Sequence, residues 1–143
     1  LKKINKNTSK IEWHPNKIIM KINLMWRIKL YKNKEIQKLL KEIIFDMIDF
    51  SKKSNFKLYL AFLPQKDDIL FMKNNFHLYK EFIDELNKNK EIKIIDLAKY
   101  LKHENNINEL YSDNNEYGGH YSKKGNKKIA LSINQELSKD NVI

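Results

Sequence analysis

Residues 58–64 read Leu-Tyr-Leu-Ala-Phe-Leu-Pro, and this stretch decides the fold class. The apolar run 58–63 lacks the alternation of a half-exposed strand and is typical of a strand that is buried on both faces. Pro64 ends the run, because proline cannot donate to a strand ladder. The pattern predicts a strand of a parallel sheet.

Working outward from this strand, the sequence alternates between helical and extended patterns. Apolar residues recur at helical spacing over residues 35–53, and a second amphipathic helix is expected over residues 76–87 after a polar turn at 65–68. The apolar members of the first helix are Ile36, Leu39, Leu40, Ile43, Ile44, Met47, Ile48 and Phe50. Ile92, Ile94 and Ile95 predict a second strand closed by Asp96, followed by a helical turn at 97–101. Such alternation predicts an α/β layered domain with parallel strands.

The domain organisation follows from length. We expect one domain over residues 1–143, with residues 1–16 as a loop or connection, whereas residues 17–31 fit either a helix or a strand. Two strands are too few for a stable doubly wound sheet, so further strands are expected upstream. A first residue that is Leu1 and not methionine agrees with that expectation.

The formal net charge is +10, which first suggests a nucleic-acid or anionic-membrane partner. However, Arg27 is the only arginine among 28 basic residues, and the lysines are spread along the whole chain. Nucleic-acid readers usually use arginine for bidentate contacts to bases. We therefore interpret the lysines as a solvated surface and predict no nucleic-acid partner.

The sequence indicates neither a cofactor nor a metal site. It contains no cysteine, and His14, His77 and His103 are scattered without the spacing of metal ligands. No segment is apolar and long enough to predict a membrane span, because Lys21, Arg27 and Lys29 interrupt the apolar stretch at 18–30. The oligomeric state stays open.

The segment most suggestive of chemistry surrounds His120. All three glycines of the chain fall between residues 118 and 125, where a Gly118-Gly119 pair can build a tight loop that presents His120. Ser122 suits the N-cap of a last helix whose predicted buried face holds Ile129, Ala130, Ile133 and Leu137. A histidine on such a loop can serve as a general base, or it can be a simple turn residue, and spacing leaves both interpretations open.

Residues 113–130, Asp-Asn-Asn-Glu-Tyr-Gly-Gly-His-Tyr-Ser-Lys-Lys-Gly-Asn-Lys-Lys-Ile-Ala, resemble the last conserved block of SGNH/GDSL-type hydrolases and acyltransferases. The buried strand ending in Leu63-Pro64 and the short strand ending in Ile95-Asp96-Leu97 extend the resemblance over about residues 35–138. It implies a three-layer α/β/α fold of flavodoxin-like type, of which this chain is the C-terminal portion. It also implies a Ser-His-acid mechanism on acyl esters, in which His120 is the catalytic base.

The catalytic acid is less well defined by the resemblance. The family usually places it three residues before the histidine, where Tyr117 stands here. Asp113 is favoured because it follows the start of the loop, Glu116 competes with it, and a backbone carbonyl could orient the ring instead. The family's nucleophile and oxyanion-hole blocks would lie upstream, since no glycine precedes Gly118.

The implied substrate is an acyl ester, with an O-acetyl group on a cell-envelope glycan as the family-level example, and the sequence does not separate hydrolase from transferase. Two other hypotheses stay open: a non-catalytic SGNH-like binding module, and a basic module for nucleic acid or anionic lipid.

For the remaining candidate residues we expect structural roles and not chemical ones. His77 is interpreted as a surface or boundary residue of an amphipathic helix, and Asp67-Asp68 as a helix N-terminus. Tyr117 and Tyr121 are interpreted as packing residues, and Trp13 and Trp26 as core anchors.

Overall fold

A computed structural model describes residues 15–112 and 120–140. The described elements are α1 (Pro15–Lys32), α2 (Lys34–Lys53), β1 (Leu58–Phe62), α3 (Lys66–Asn74), α4 (Lys80–Leu86), β2 (Ile92–Asp96), α5 (Ala98–Leu101), a 3-10 turn (Ile107–Leu110) and α6 (Lys123–Ser138). The fold class is mixed α/β, as predicted, and most of the described residues are helical. The three-layer flavodoxin-like arrangement stays a prediction.

The two strands pair in parallel, in register from Leu58 opposite Ile92 to Phe62 opposite Asp96. This confirms the predicted parallel sheet, which has two strands within the described residues. The prediction that β1 is buried on both faces is wrong, because all five of its residues are only partly buried. One neighbouring strand and short helices cover too little of β1, whereas β2 is mostly buried.

Residues on the two faces of β1 contact different parts of the chain. Phe62 stacks on Tyr79, with ring centroids 5.3 Å apart, and meets Phe82 of α4 edge-on. Tyr59, on the opposite face of β1, lies beside Asp140 at the end of α6, with the two oxygens 3.4 Å apart. The apolar core includes the fully buried residues Ile69, Leu97, Ala98, Leu101 and Leu110.

Local signals explain most of the helix boundaries. Asn33 caps α2 by accepting hydrogen bonds from the amides of Glu35 and Ile36. The predicted turn at 65–68 is instead the start of α3, where the Asp68 carboxylate accepts from the Gln65 amide at 3.0 Å. This confirms that Asp67 and Asp68 lie at a helix N-terminus. The helix predicted over 76–87 begins only at Lys80.

The helical stripe predicted for residues 35–53 is mostly not core. Of its apolar members only Ile44 and Ile48 are buried, together with Gln37 and Ser51 on the same face. Trp26 on α1 is 67% exposed, so its interpretation as a core anchor is wrong. Both helices therefore carry more apolar surface than the described core covers.

The last helix begins as predicted and packs differently. The Ser122 hydroxyl accepts from the Gly125 amide at 3.1 Å, which confirms Ser122 as the N-cap. The buried face consists of Gly125, Ile129, Ser132 and Glu136, whereas the Ala130 predicted there is exposed. Helix α6 turns its polar residues Ser132 and Glu136 toward the core, because the Glu136 carboxylate pairs there with ammonium groups.

The buried Glu136 connects α6 to α5 through a polar cluster whose lysines are about half exposed. Its carboxylate lies 2.8 Å from the Lys99 ammonium and 3.0 Å from that of Lys139, and it accepts a hydrogen bond from the Tyr100 hydroxyl. Burial by itself raises the pKa of Glu136, but hydrogen bonds from these three partners outweigh it and lower the pKa to about 2. The ionised carboxylate therefore stabilises the fold.

Replacing Glu136 with glutamine is expected to lower the free energy of unfolding at neutral pH by about 2–3 kcal/mol, since two ammonium groups lose their anion. In the parent protein the contribution of Glu136 is complete above its unfolded-state pKa of 4.5 and declines as the pH falls toward about 2. Urea unfolding at about pH 7 and about pH 3 measures both effects. A loss of equal size at the two pH values would contradict this linkage.

Candidate active site

The loop that carries His120 is anchored at the carboxyl end of β1. The Tyr111 hydroxyl donates to the Pro64 carbonyl at 2.8 Å, and the Tyr121 hydroxyl donates to the same oxygen. The two rings stack with centroids 4.8 Å apart. Burial raises the pKa of both tyrosines, so both hydroxyls keep their protons at neutral pH and remain donors.

A short antiparallel ladder then closes the loop. Tyr111 and Tyr121 form a β-bridge, and the Ser112 amide donates to the His120 carbonyl at 2.8 Å. The Ser112 hydroxyl donates to that carbonyl as well, at 2.9 Å, and the Ser122 amide donates to the Leu110 carbonyl at 2.9 Å. The backbone of His120 is thus held from both sides, next to the end of the parallel sheet.

The side chain of His120 has no hydrogen-bonding partner among the described residues, although its carbonyl is held by Ser112. The residue is exposed, and its ring forms no hydrogen bond or ion pair with any residue in the described ranges. The predicted acid Asp113 and its competitor Glu116 lie outside the described residues, as do Trp13, His14, Tyr117, Gly118 and Gly119. An exposed imidazole on a fixed backbone can exchange a proton with a bound substrate.

Gly125 makes this arrangement possible by letting α6 approach the loop closely. A Cβ atom at this position would lie 2.0 Å from the Leu110 carbonyl oxygen and 3.2 Å from the Tyr121 ring. The Leu110 carbonyl is the acceptor for Ser122, so any displacement there reaches His120 through the ladder. Gly125 is therefore required for packing.

A second histidine, His77, forms the pair that the sequence analysis missed. Its Nε2 lies 2.8 Å from the Asp96 carboxylate, and both side chains are more than four-fifths buried. The other carboxylate oxygen of Asp96 accepts from the Ala98 amide at 3.0 Å. His77 is partly buried, which agrees with its interpretation as a surface or boundary residue, but its predicted position on a helix is wrong, because residues 75–79 precede α4 and turn the ring toward the end of β2.

His77 is poorly placed to act on a substrate. Its Nε2 is engaged by Asp96, and its Nδ1 is buried without a hydrogen-bond partner among the described residues. The ring meets Tyr79 edge-on, with centroids 4.8 Å apart. One sequence feature could have predicted this pair: Asp96 lies at the carboxyl end of a predicted parallel strand, where polar side chains of an α/β sheet converge.

Arg27 has a structural role at the same edge of the sheet. Its Nε donates to the Asp68 carboxylate at 2.9 Å, and its Nη2 lies equally close to that oxygen without hydrogen-bond geometry. Burial raises the pKa of the neighbouring Asp67. The single arginine thus holds α1 against the start of α3.

Two further properties concern metals and membranes. Over residues 15–112 and 120–140, no three histidine or acidic side chains lie close enough together to hold a metal ion. Within the same part of the chain, no helix combines the length and apolar character needed to cross a bilayer.

Comparisons with protein-family models, with curated proteins and with solved structures find no match to this chain.

Proposed function

We propose that this chain supplies the catalytic histidine, His120, of a serine-dependent hydrolase or acyltransferase of SGNH type that acts on acyl esters. One observation carries the proposal. Two tyrosine hydroxyls hold the His120 loop on the Pro64 carbonyl at the carboxyl end of a parallel strand, and the imidazole stays exposed. Ligands and catalytic groups of open α/β sheets gather at that edge.

The proposed reaction proceeds through an acyl-serine intermediate. A serine hydroxyl attacks the acyl carbonyl and forms a bond to its carbon while His120 takes the hydroxyl proton. The carbon–oxygen bond to the alcohol then breaks, and the protonated imidazole returns that proton to the leaving alcohol. Water (in a hydrolase) or a second alcohol (in a transferase) repeats the sequence and releases the acyl group from the serine.

The acid that orients the imidazole is proposed to be Asp113, with Glu116 as the competitor. An acid in this role selects the ring tautomer and stabilises the imidazolium cation. The fixed carbonyl of His120 supports the proposal, because it limits the ring to rotation about its own side-chain bonds. Asp96 is excluded from the role, since it already binds His77.

The proposal requires a nucleophilic serine on a glycine-containing turn, which we propose to lie outside residues 1–143. The test uses the polypeptide encoded by the complete reading frame that contains these residues. It should hydrolyse p-nitrophenyl acetate, release acetate from an O-acetylated glycan, and be labelled on one serine by a fluorophosphonate. Absence of both turnover and labelling would overturn the proposal in favour of a non-catalytic binding module.

A further inference from the structure

Helix α2 carries an apolar stripe that the core does not use. Its residues follow the four-three spacing of a coiled-coil seam, and each of them is between 37% and 63% exposed. They are Ile36, Leu40, Ile43, Met47 and Phe50, with Leu39 alongside. The core is contacted by a different face of the helix. A stripe with this spacing matches a second helix that packs nearly parallel or antiparallel to α2.

Helix α1 presents an apolar surface of the same kind. Its core side consists of Leu24, Ile28 and Tyr31, which are partly buried. The exposed apolar residues, at 39% to 67% exposure, are Ile18, Ile19, Ile22, Met25, Trp26 and Leu30. The helix thus has one face for its own core and a second face without a described partner.

The two surfaces are continuous. An apolar groove of about 320 Å³ lies where α1 meets α2, and its walls include Leu30 from α1 and Ile36 and Leu40 from α2, with Phe82 also in its lining. Because the groove joins the end of one exposed stripe to the start of the other, α1 and α2 form a single apolar face.

The charges beside the stripes are complementary. A row of acidic residues, Glu35, Glu42, Asp46 and Asp49, follows the α2 seam on the side away from the core. Helix α1 contains no acidic residue and carries Lys21 and Lys29 close to its exposed stripe. Within the described ranges, Asp46 and Asp49 form no ion pair, and neither do these two lysines.

The size of the face matches a dimer interface. Twelve half-exposed apolar side chains lie on this face. The burial free energy of an aliphatic side chain and the usual coefficient per unit area correspond to roughly 60–120 Å² of apolar area when it is fully exposed, so the twelve present on the order of 500 Å². A stable interface buries about 800 Å² from each partner, of which somewhat more than half is apolar. The face therefore supplies the apolar area that one partner of a stable dimer buries.

We propose that this protein forms a two-fold symmetric homodimer in which α1 of each copy packs along the α2 seam of the other copy. A two-fold axis requires a self-complementary surface, and this face has both halves: a basic apolar helix and an acid-flanked apolar seam. In the dimer, the apolar stripes on α1 and α2 of both copies are buried. The inference uses none of the residues around His120, and its test measures the oligomeric state and not ester turnover.

Sedimentation equilibrium of the complete polypeptide that contains these residues, from about 1 μM to about 100 μM, tests the proposal, since it measures dissociation constants in the micromolar range. The parent chain should be dimeric. Ile43→Glu, at the centre of the seam, should raise the dissociation constant at least about a hundredfold. Leu131→Glu is the matched control, because Leu131 is 58% exposed on α6, away from the face, and should leave the dimer intact. Circular dichroism verifies that both variants are folded.

Charge reversal identifies the partner of the seam as α1. Reversing Glu42 and Asp46 to lysine should weaken the dimer, and so should reversing Lys21 and Lys29 to glutamate. The four substitutions in one chain should restore it, because each basic seam then meets an acidic α1. A monomeric parent, a dimer insensitive to Ile43→Glu, or a failure of the combined variant to recover would each overturn the proposal.

Discussion

Replacing His120 with alanine is expected to lower kcat/KM for acyl ester hydrolysis by about four orders of magnitude or more, since the members of a catalytic triad act as a unit. The free energy of unfolding should change by no more than about 0.5 kcal/mol, because an exposed ring without a described partner contributes little to stability. Steady-state kinetics on p-nitrophenyl acetate and urea unfolding, both on the complete polypeptide, measure the two quantities.

His77→Ala is the matched control. It should lower the stability of the fold and leave ester hydrolysis unchanged. Removing this ring leaves the Asp96 carboxylate with only the Ala98 amide as a partner, so unfolding should become easier by about 2 kcal/mol. At a temperature where the variant remains folded, its kcat/KM should stay close to the parent value. If His77→Ala abolished turnover and His120→Ala did not, the assignment of the catalytic histidine would be reversed.

The second large change in stability and activity is expected when Gly125 is replaced. An alanine Cβ would lie 2.0 Å from the Leu110 carbonyl oxygen, so either α6 or the backbone at Leu110 must move. We expect Gly125→Ala to lower the free energy of unfolding by about 3 kcal/mol, near the upper end of overpacking costs. Because the Leu110 carbonyl also accepts from the Ser122 amide, the His120 loop shifts, and activity should fall about a hundredfold.

Lys127→Ala provides the comparison in the same helix. Lys127 is exposed on α6, and alanine is at least as good a helix former, so stability and activity should stay at parent levels. Thermal unfolding by circular dichroism and the ester assay compare the variants. A Gly125→Ala protein as stable as the parent would show that α6 can move away from Leu110 at no cost, and it would contradict the packing role of Gly125.

Much of the secondary structure was predictable because its causes are local. The strand at residues 58–62, the helix over residues 34–53 and the Ser122 cap follow from apolar spacing and from one hydroxyl near one amide. The helix over residues 15–32 could not be distinguished from a strand, since β-branched residues fit both periods. The late start of α4 at Lys80 depends on His77 turning toward Asp96, a contact across 19 positions.

The sequence by itself determined the fold class, the parallel pairing that alternating elements require, and the Ser122 cap of the last helix. Only the tertiary structure decided which apolar residues form the core, because helical spacing names a stripe and not its neighbour. On that basis Ile44 and Ile48 are buried, and Ile43 and Met47 remain exposed on the same helix. It also decided that His77 has a carboxylate partner in Asp96. Such contacts depend on where separate elements meet in space, and hydrophobic periodicity along one element carries no information about that.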